Sequence, residues 1–254
     1  MTYARLLDLT WYQVVAFGLL YFSAIYLLLG ALTLWLTRRV LPALGHGSVL
    51  DRRAVPAGQR AREWRLSALS IVIFGTGLLV PWGLLQRGWA RIDDHASGLQ
   101  IALEVLALTL WNEVHFYANH RLLHTRWFKR FHLPHHRSVV TTPWATYSFH
   151  PLEALLLGNV ILLPMVLHDF SLPALLALPI ISLAFNNIGH SNYDFLPGAA
   201  HDRWWLNGAR RHHLHHACYS GNYGFMLPFM DRWFGTHLPP DAALARRAAA
   251  RPSP

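Results

Sequence analysis

LTWYQVVAFGLLYFSAIYLLLGALTLWLT, residues 9–37, runs for 29 positions without a charged side chain. About 20 predominantly apolar residues cross the hydrocarbon core of a bilayer, so the stretch predicts a transmembrane helix. We place that span at Trp11–Leu36, with Arg38 and Arg39 closing it. It is too long for the apolar core of a secretory signal peptide and lacks the basic leader of one, so it is expected to be retained.

Further spans follow. Leu66–Gln86 supplies 21 uncharged residues and a second crossing. A third, about Gly98–Phe116, contains Glu104 and Glu113, which must face protein or water there. Ala154–His168 has only 15 uncharged residues, a helix of about 22 Å that falls short of a full crossing. Phe170–Tyr193 has 24, with Asp169-Phe-Ser-Leu-Pro173 as the break between them. Residues 152–189 therefore read as a tight helical hairpin that dips into the membrane or just crosses it.

Composition agrees. Of the 254 residues, 53% are hydrophobic and 14% charged, against about 25% charged in ordinary soluble domains. Disorder, a coiled coil and an ordinary soluble enzyme are excluded. The single cysteine, Cys218, excludes an internal disulfide framework and a cysteine-based zinc site. Arginine supplies nearly all of the basic charge, since Lys129 is the only lysine. That bias and the alanine content suggest a GC-rich bacterial genome.

Charge asymmetry sets the orientation. The 37–65 loop carries seven arginines, whereas in the 87–97 loop Arg87 and Arg91 are offset by Asp93 and Asp94. The first loop is expected to be cytoplasmic and the N-terminus outside. Residues 117–150 and 190–254 then fall on the cytoplasmic side, in a bacterial inner membrane. The net charge of +9 has its explanation in this pattern, and no nucleic-acid motif is present.

The chain holds 17 histidines, 14 of them between His115 and His216. His120-Arg-Leu-Leu-His124 places two imidazoles one helical turn apart. His132-Leu-Pro-His135-His136 and His212-His213-Leu-His215-His216 repeat an H-x-x-H-H spacing, expected to put three imidazoles on one face. Imidazole suits Fe, Zn, Cu and Ni. Eight such ligands exceed what one tetrahedral ion uses, so two metals with four or five ligands each is the simpler stoichiometry. A lone histidine in an apolar protein is ordinarily a hydrogen-bonded core or interface residue; His46, His95, His168, His201 and His237 are read so. His213 is expected to face away from its cluster, and His115 to lie about 140° off the face of His120.

These clusters resemble the three histidine boxes of the fatty acid hydroxylase/sterol desaturase superfamily. Phe149-His150-Pro-Leu-Glu153, Gly189-His190-Ser-Asn192, Asn222-Tyr-Gly224 and Asp231-Arg-Trp-Phe-Gly235-Thr236 resemble its intervening and following signatures. The likeness covers about residues 111–237. It implies an all-α integral membrane protein. About three full transmembrane helices and the hairpin would carry a cytosolic, histidine-rich helical cap holding a dimetal site. The organisation expected is 1–116 as membrane helices, 117–240 as a histidine-box catalytic domain that includes the hairpin, and 241–254 as a flexible tail.

The resemblance further implies two iron ions held by His120, His124, His132, His135, His136, His212, His215 and His216, with His190 as a ninth ligand. Asp194 stands where some relatives have another histidine. Asn186, Asp194, His150 and Glu153 are candidates for the layer behind the ligands. No residue other than the ligands is assigned a catalytic role. The implied chemistry is O2-dependent hydroxylation or desaturation of a lipid, an acyl chain first, with a sterol, hopanoid or carotenoid as the alternative. A metal-binding or transport protein is the rival of another class; transporters place polar ligands near the bilayer midplane, and these lie mostly at its edge. No G-x-G-x-x-G motif follows a strand, so electrons are expected from a separate ferredoxin- or cytochrome-like protein. Arg126, Lys129, Arg130 and Arg137 offer it a basic surface. Trp82 and Phe185 are candidates for shaping the lipid channel.

Overall fold

The computed structural model describes residues 3–197 and 208–239; His201 and the tail expected over 241–254 lie outside them. A short helix, α1 (Tyr3–Leu7), precedes α2 (Trp11–Trp35), which continues through a π turn (Leu36–Val40) and α3 (Leu41–Ala43). A two-residue strand, β1 (Ser48–Val49), leads to α4 (Gln59–Gly77), α5 (Leu79–Gln86) and α6 (Gly98–Leu123). Then come α7 (Lys129–His136), a 3-10 turn (Pro143–Tyr147), α8 (Pro151–Gly158), α9 (Leu162–Leu167) and α10 (Leu172–His190). Strand β2 (Tyr193–Asp194), α11 (Gly208–Cys218) and α12 (Phe229–Trp233) complete the described order.

Three helical stretches are long and apolar enough to cross a membrane: Trp11–Ala43, Gln59–Gln86 and Leu172–His190. The first two contain the expected spans. The third is one limb of the expected hairpin, so the hairpin is unequal. Its other limb is broken into α8 and α9, neither of crossing length. The break is stitched to α6: the Trp111 indole donates to the Val160 carbonyl at 2.7 Å, and His115 Nε2 lies 2.7 Å from Asn159 Oδ1. These bonds satisfy polar groups that lipid would leave unpaired.

Helix α6 has 26 residues, about 39 Å, but its acidic residues keep it out of the apolar set. Both carboxylates face protein, as expected. Glu104 accepts from the Ser171 amide at 2.9 Å and its hydroxyl at 2.5 Å, fixing the start of α10. Glu113 accepts from the Met226 and Leu227 amides, each at 3.0 Å, and so ties the segment after α11 to α6.

Helices α2 and α4 touch backbone to backbone. A Cβ at Gly18 would lie 2.6 Å from the Gly75 carbonyl oxygen, so glycine is what permits the crossing. Phe22, Ile25 and Tyr26 of α2 pack with Tyr147, Phe149, Ala154 and Leu183 into one buried cluster. A second, built on Leu108, Met165, Phe170 and Leu178, lies at the opposite end of the helices.

The strands pair antiparallel, Ser48 with Asp194 and Val49 with Tyr193. Asn192, at φ 53°, exchanges side-chain hydrogen bonds with the Asp51 amide (2.7 Å) and carbonyl (2.8 Å). The arginine-rich loop after α3 is thereby fastened two residues beyond His190. The loop and the histidine clusters share one end of the molecule.

Candidate metal centre

Nine imidazoles converge in two groups whose nitrogens lie within 4.8 Å of one another. His120, His124, His132, His136 and His215 form the first; His135, His190, His212 and His216 form the second. All nine expected ligands are brought together. Among the described residues they are the acidic, cysteine or histidine groupings able to hold a metal.

The boxes divide in a way their spacing alone does not show. In each H-x-x-H-H box the outer pair, four residues apart, stays together: His132 with His136, and His212 with His216. The middle histidine crosses to the other group. Residues i and i+4 on a helix are about 40° apart, whereas i+3 stands about 100° from i+4. The three imidazoles of a box share a broad helix face but divide between the two groups. His120 and His124, also four apart, stay together.

Hydrogen bonds fix the tautomers. The Nδ1–H of His120 donates to the Tyr223 carbonyl (2.9 Å), that of His215 to Gly221 (2.8 Å) and that of His190 to Asn186 (3.0 Å). The Nδ1–H of His132 donates to Glu153 Oε1 at 2.7 Å. Each of these rings therefore turns a bare Nε2 lone pair inward. His120 Nε2 and His132 Nε2 face each other at 3.1 Å, and His190 Nε2 lies 3.2 Å from His135 Nε2 and 3.0 Å from His212 Nε2. Neutral lone pairs at such distances repel unless a cation sits between them, so the donor set fits metal ions.

Burial, reinforced by repulsion from neighbouring imidazoles, holds His132, His135, His136, His212 and His216 well below the ordinary histidine range. Burial lowers His215 to about 4. All six are neutral at pH 7, the form that binds a metal.

The residues expected behind the ligands have different fates. Glu153, fully buried, orients His132 as a carboxylate behind a metal-binding histidine does. Asn186 sits one turn before His190 and donates from Nδ2 to the Thr146 carbonyl at 2.9 Å. Asp194 belongs to neither histidine group; its carboxylate pairs with Arg210 at 2.5 Å and pins α11. His150 is the N-cap of α8, its Nδ1 accepting from the Leu152 amide at 3.2 Å. His115 and His213 stay outside both groups, as expected.

Several supports were hidden from the sequence because they are backbone atoms or distant carboxylates. The carbonyls of Gly221 and Tyr223 come from a turn in which Tyr219 and Asn222 adopt φ of 62° and 51°. Asp231 shapes that turn by accepting from the Tyr223 and Gly224 amides, each at 2.8 Å, and from the Thr236 hydroxyl at 2.7 Å. Replacing Asp231 by alanine is expected to loosen the His120 support and weaken metal retention about tenfold. Metal content after dialysis against a graded chelator series measures it; wild-type retention would refute the role.

An apolar cavity of about 310 Å³ runs from the membrane helices toward the histidines, within the size range of ligand pockets. Trp82 lines it; Phe185 does not. Beyond it, against His120, His132, His135, His190 and His212, lies a pocket of about 10 Å³, room for about one water-sized molecule. Phe116, Phe149, Leu157 and Asn186 line both spaces and form the neck between them.

A family model described as fatty acid hydroxylase matches residues 105–236. Among curated proteins, the Delta(7)-sterol 5(6)-desaturase erg3C of Aspergillus fumigatus is 30% identical, covering 85% of this chain and 75% of that protein. The Delta(7)-sterol 5(6)-desaturase ERG3 of Saccharomyces cerevisiae is 28% identical over 78% of this chain and 54% of its own length. A second A. fumigatus enzyme, erg3B, is 29% identical over 80% and 62%. The chain thus spans about half to three quarters of these relatives. No solved structure matches.

Proposed function

The chain belongs to the fatty acid hydroxylase family, and on that premise we propose that it is a membrane-embedded di-iron oxidase that hydroxylates or desaturates a lipid with O2 and externally supplied electrons. The observation that carries this reading is the pair of neutral imidazole groups, five and four strong, at the end of an apolar cavity. Iron bound there supplies O2 activation and the oxidation of an unactivated C–H bond.

His120, His124, His132, His136 and His215 hold one ion in this reading; His135, His190, His212 and His216 hold the other. The protein's contribution is placement. Glu153 and the carbonyls of Tyr223, Gly221 and Asn186 keep imidazole lone pairs aimed inward. The cavity excludes water and brings an apolar chain or ring to the neck.

Among lipids, a sterol-type polycycle now ranks ahead of an acyl chain, because the similar curated proteins are named as sterol desaturases. The acyl chain stays as the second reading, compatible with the apolar lining of the cavity. Comparative lipidomics of a host with and without the chain decides between them. A new species one oxygen heavier reports hydroxylation; one lighter by two hydrogens reports desaturation. Oxidised products confined to soluble metabolites would refute the lipid reading.

Electrons come from a separate ferredoxin- or cytochrome-like carrier. Arg126, Lys129, Arg130 and Arg137 are all exposed beside the first two boxes and offer it a basic face. A bacterial inner-membrane location follows from the Arg and Ala bias, with the histidine end cytoplasmic by the arginine asymmetry. Reporter fusions are expected to place the N-terminus outside and the C-terminus inside. A cytoplasmic N-terminus would mean that a span is miscounted, α6 first.

A further inference from the structure

A second large cavity, about 980 Å³, opens at the histidine end of α2 and α4 and shares no residue with the metal centre or the apolar cavity. Arg38 enters from the end of the first span, Arg52 and Arg53 from the loop after β1, and Arg60 from the start of α4. Arg53 is paired with Asp51. Among the described residues, no carboxylate lies within ion-pair range of Arg38, Arg52 or Arg60. Among the described residues, three guanidinium groups thus line one space whose one lining carboxylate, Asp51, is taken up by Arg53.

The wall holds a second sign of a ligand. Thr141 is 1% exposed and lines this cavity, yet its hydroxyl has no hydrogen-bond partner. A buried hydroxyl left unpaired is costly, and a ligand oxygen would satisfy it. The other side of the space is apolar: Leu34 and Trp64 belong to the flanks of α2 and α4, and Trp64 stacks near Trp144 with ring centroids 4.6 Å apart. Guanidinium groups are suited to bidentate pairing with phosphate oxygens.

We propose that this cavity binds the phosphate headgroup of an anionic membrane phospholipid, its acyl chains remaining along the outer flanks of α2 and α4. The lipid source follows from position. Arg38 and Arg60 stand where the two spanning helices leave the bilayer, with Arg52 in the loop that joins them, and Leu34 and Trp64 continue the cavity into the apolar helix faces. Neither the di-iron reading nor catalysis is needed for the inference.

Native mass spectrometry of the purified full chain, exchanged into mixed phosphatidylglycerol and phosphatidylcholine, tests it. Wild type is expected to retain phosphatidylglycerol about tenfold over phosphatidylcholine. The double variant Arg38→Gln/Arg60→Gln should bring the two lipids near parity, with unchanged melting temperature and metal content. Arg126→Gln/Arg130→Gln, equal in charge removed but elsewhere on the surface, should keep the preference. Equal retention of both lipids by wild type overturns the proposal, as does equal loss of preference in both double variants, which would reduce it to net charge. Displacement of phosphatidylglycerol by millimolar inorganic phosphate overturns the commitment to a lipid. Should the Arg38/Arg60 variant fail to fold, the wild-type preference and its resistance to phosphate decide alone.

Discussion

Alanine at His135 or at His215 is expected to abolish lipid oxidation and to remove one metal ion from each chain while the protein stays membrane-inserted. The two residues are the middle histidines of their boxes, and each crosses into the group opposite its neighbours. His135→Ala leaves three imidazoles in the four-membered group; His215→Ala leaves four in the five-membered one. Loss of a residue that merely orients a ligand costs about 10–100-fold in metal affinity or activity, so loss of a ligand should exceed about 100-fold. Product is read by lipid mass spectrometry and metal by elemental analysis. His213→Ala, adjacent in sequence but outside both groups, serves as the control and should keep both. Wild-type product with either His135 or His215 replaced would end the assignment.

Leu157→Trp is expected to reduce turnover by about 100-fold with both metal ions retained. Leu157 lines the apolar cavity and the small pocket against the histidines, so its side chain borders the neck through which a substrate carbon must come. A larger ring there displaces the reacting carbon from the metals, and a shift near 1 Å suffices for an effect of that size. Overpacking costs about 1–3 kcal/mol, so melting temperature and metal content are measured with turnover. Leu157→Ala widens the neck instead and should broaden the range of lipids oxidised. Unchanged turnover in the tryptophan variant would place the substrate path elsewhere. The two experiments separate metal binding from substrate access: the first removes both metal and product, the second only product.

Local spacing and uncharged length were legible in the sequence. The 29 uncharged residues from Leu9 to Thr37 require a membrane helix whatever they pack against, because backbone groups in lipid must bond within their own segment. The i and i+4 histidines share a helix face by helical geometry alone, which is why three pairs were readable as chelators. The acidic residues of α6 announced that they faced protein, since an unpaired carboxylate in hydrocarbon is too costly. Their partners, Ser171 at one end and Met226 and Leu227 at the other, could not be named from the chain.

Tertiary structure alone decided how the nine imidazoles divide. A box fixes the angles between its own side chains, but where each points depends on the helix packed opposite. His135 meets His190 and His216 because α10 and α11 lie across from that side of α7, whereas His215 is turned toward His120 and His136. The tautomers were equally hidden, for they rest on carbonyls that carry no sequence signature. His150 and Asp194 show the same limit: nearby in sequence to a box or signature, they became a helix cap and an ion pair because folding turned them away from the metals. Helical periodicity determines what faces are available; packing determines what each face meets.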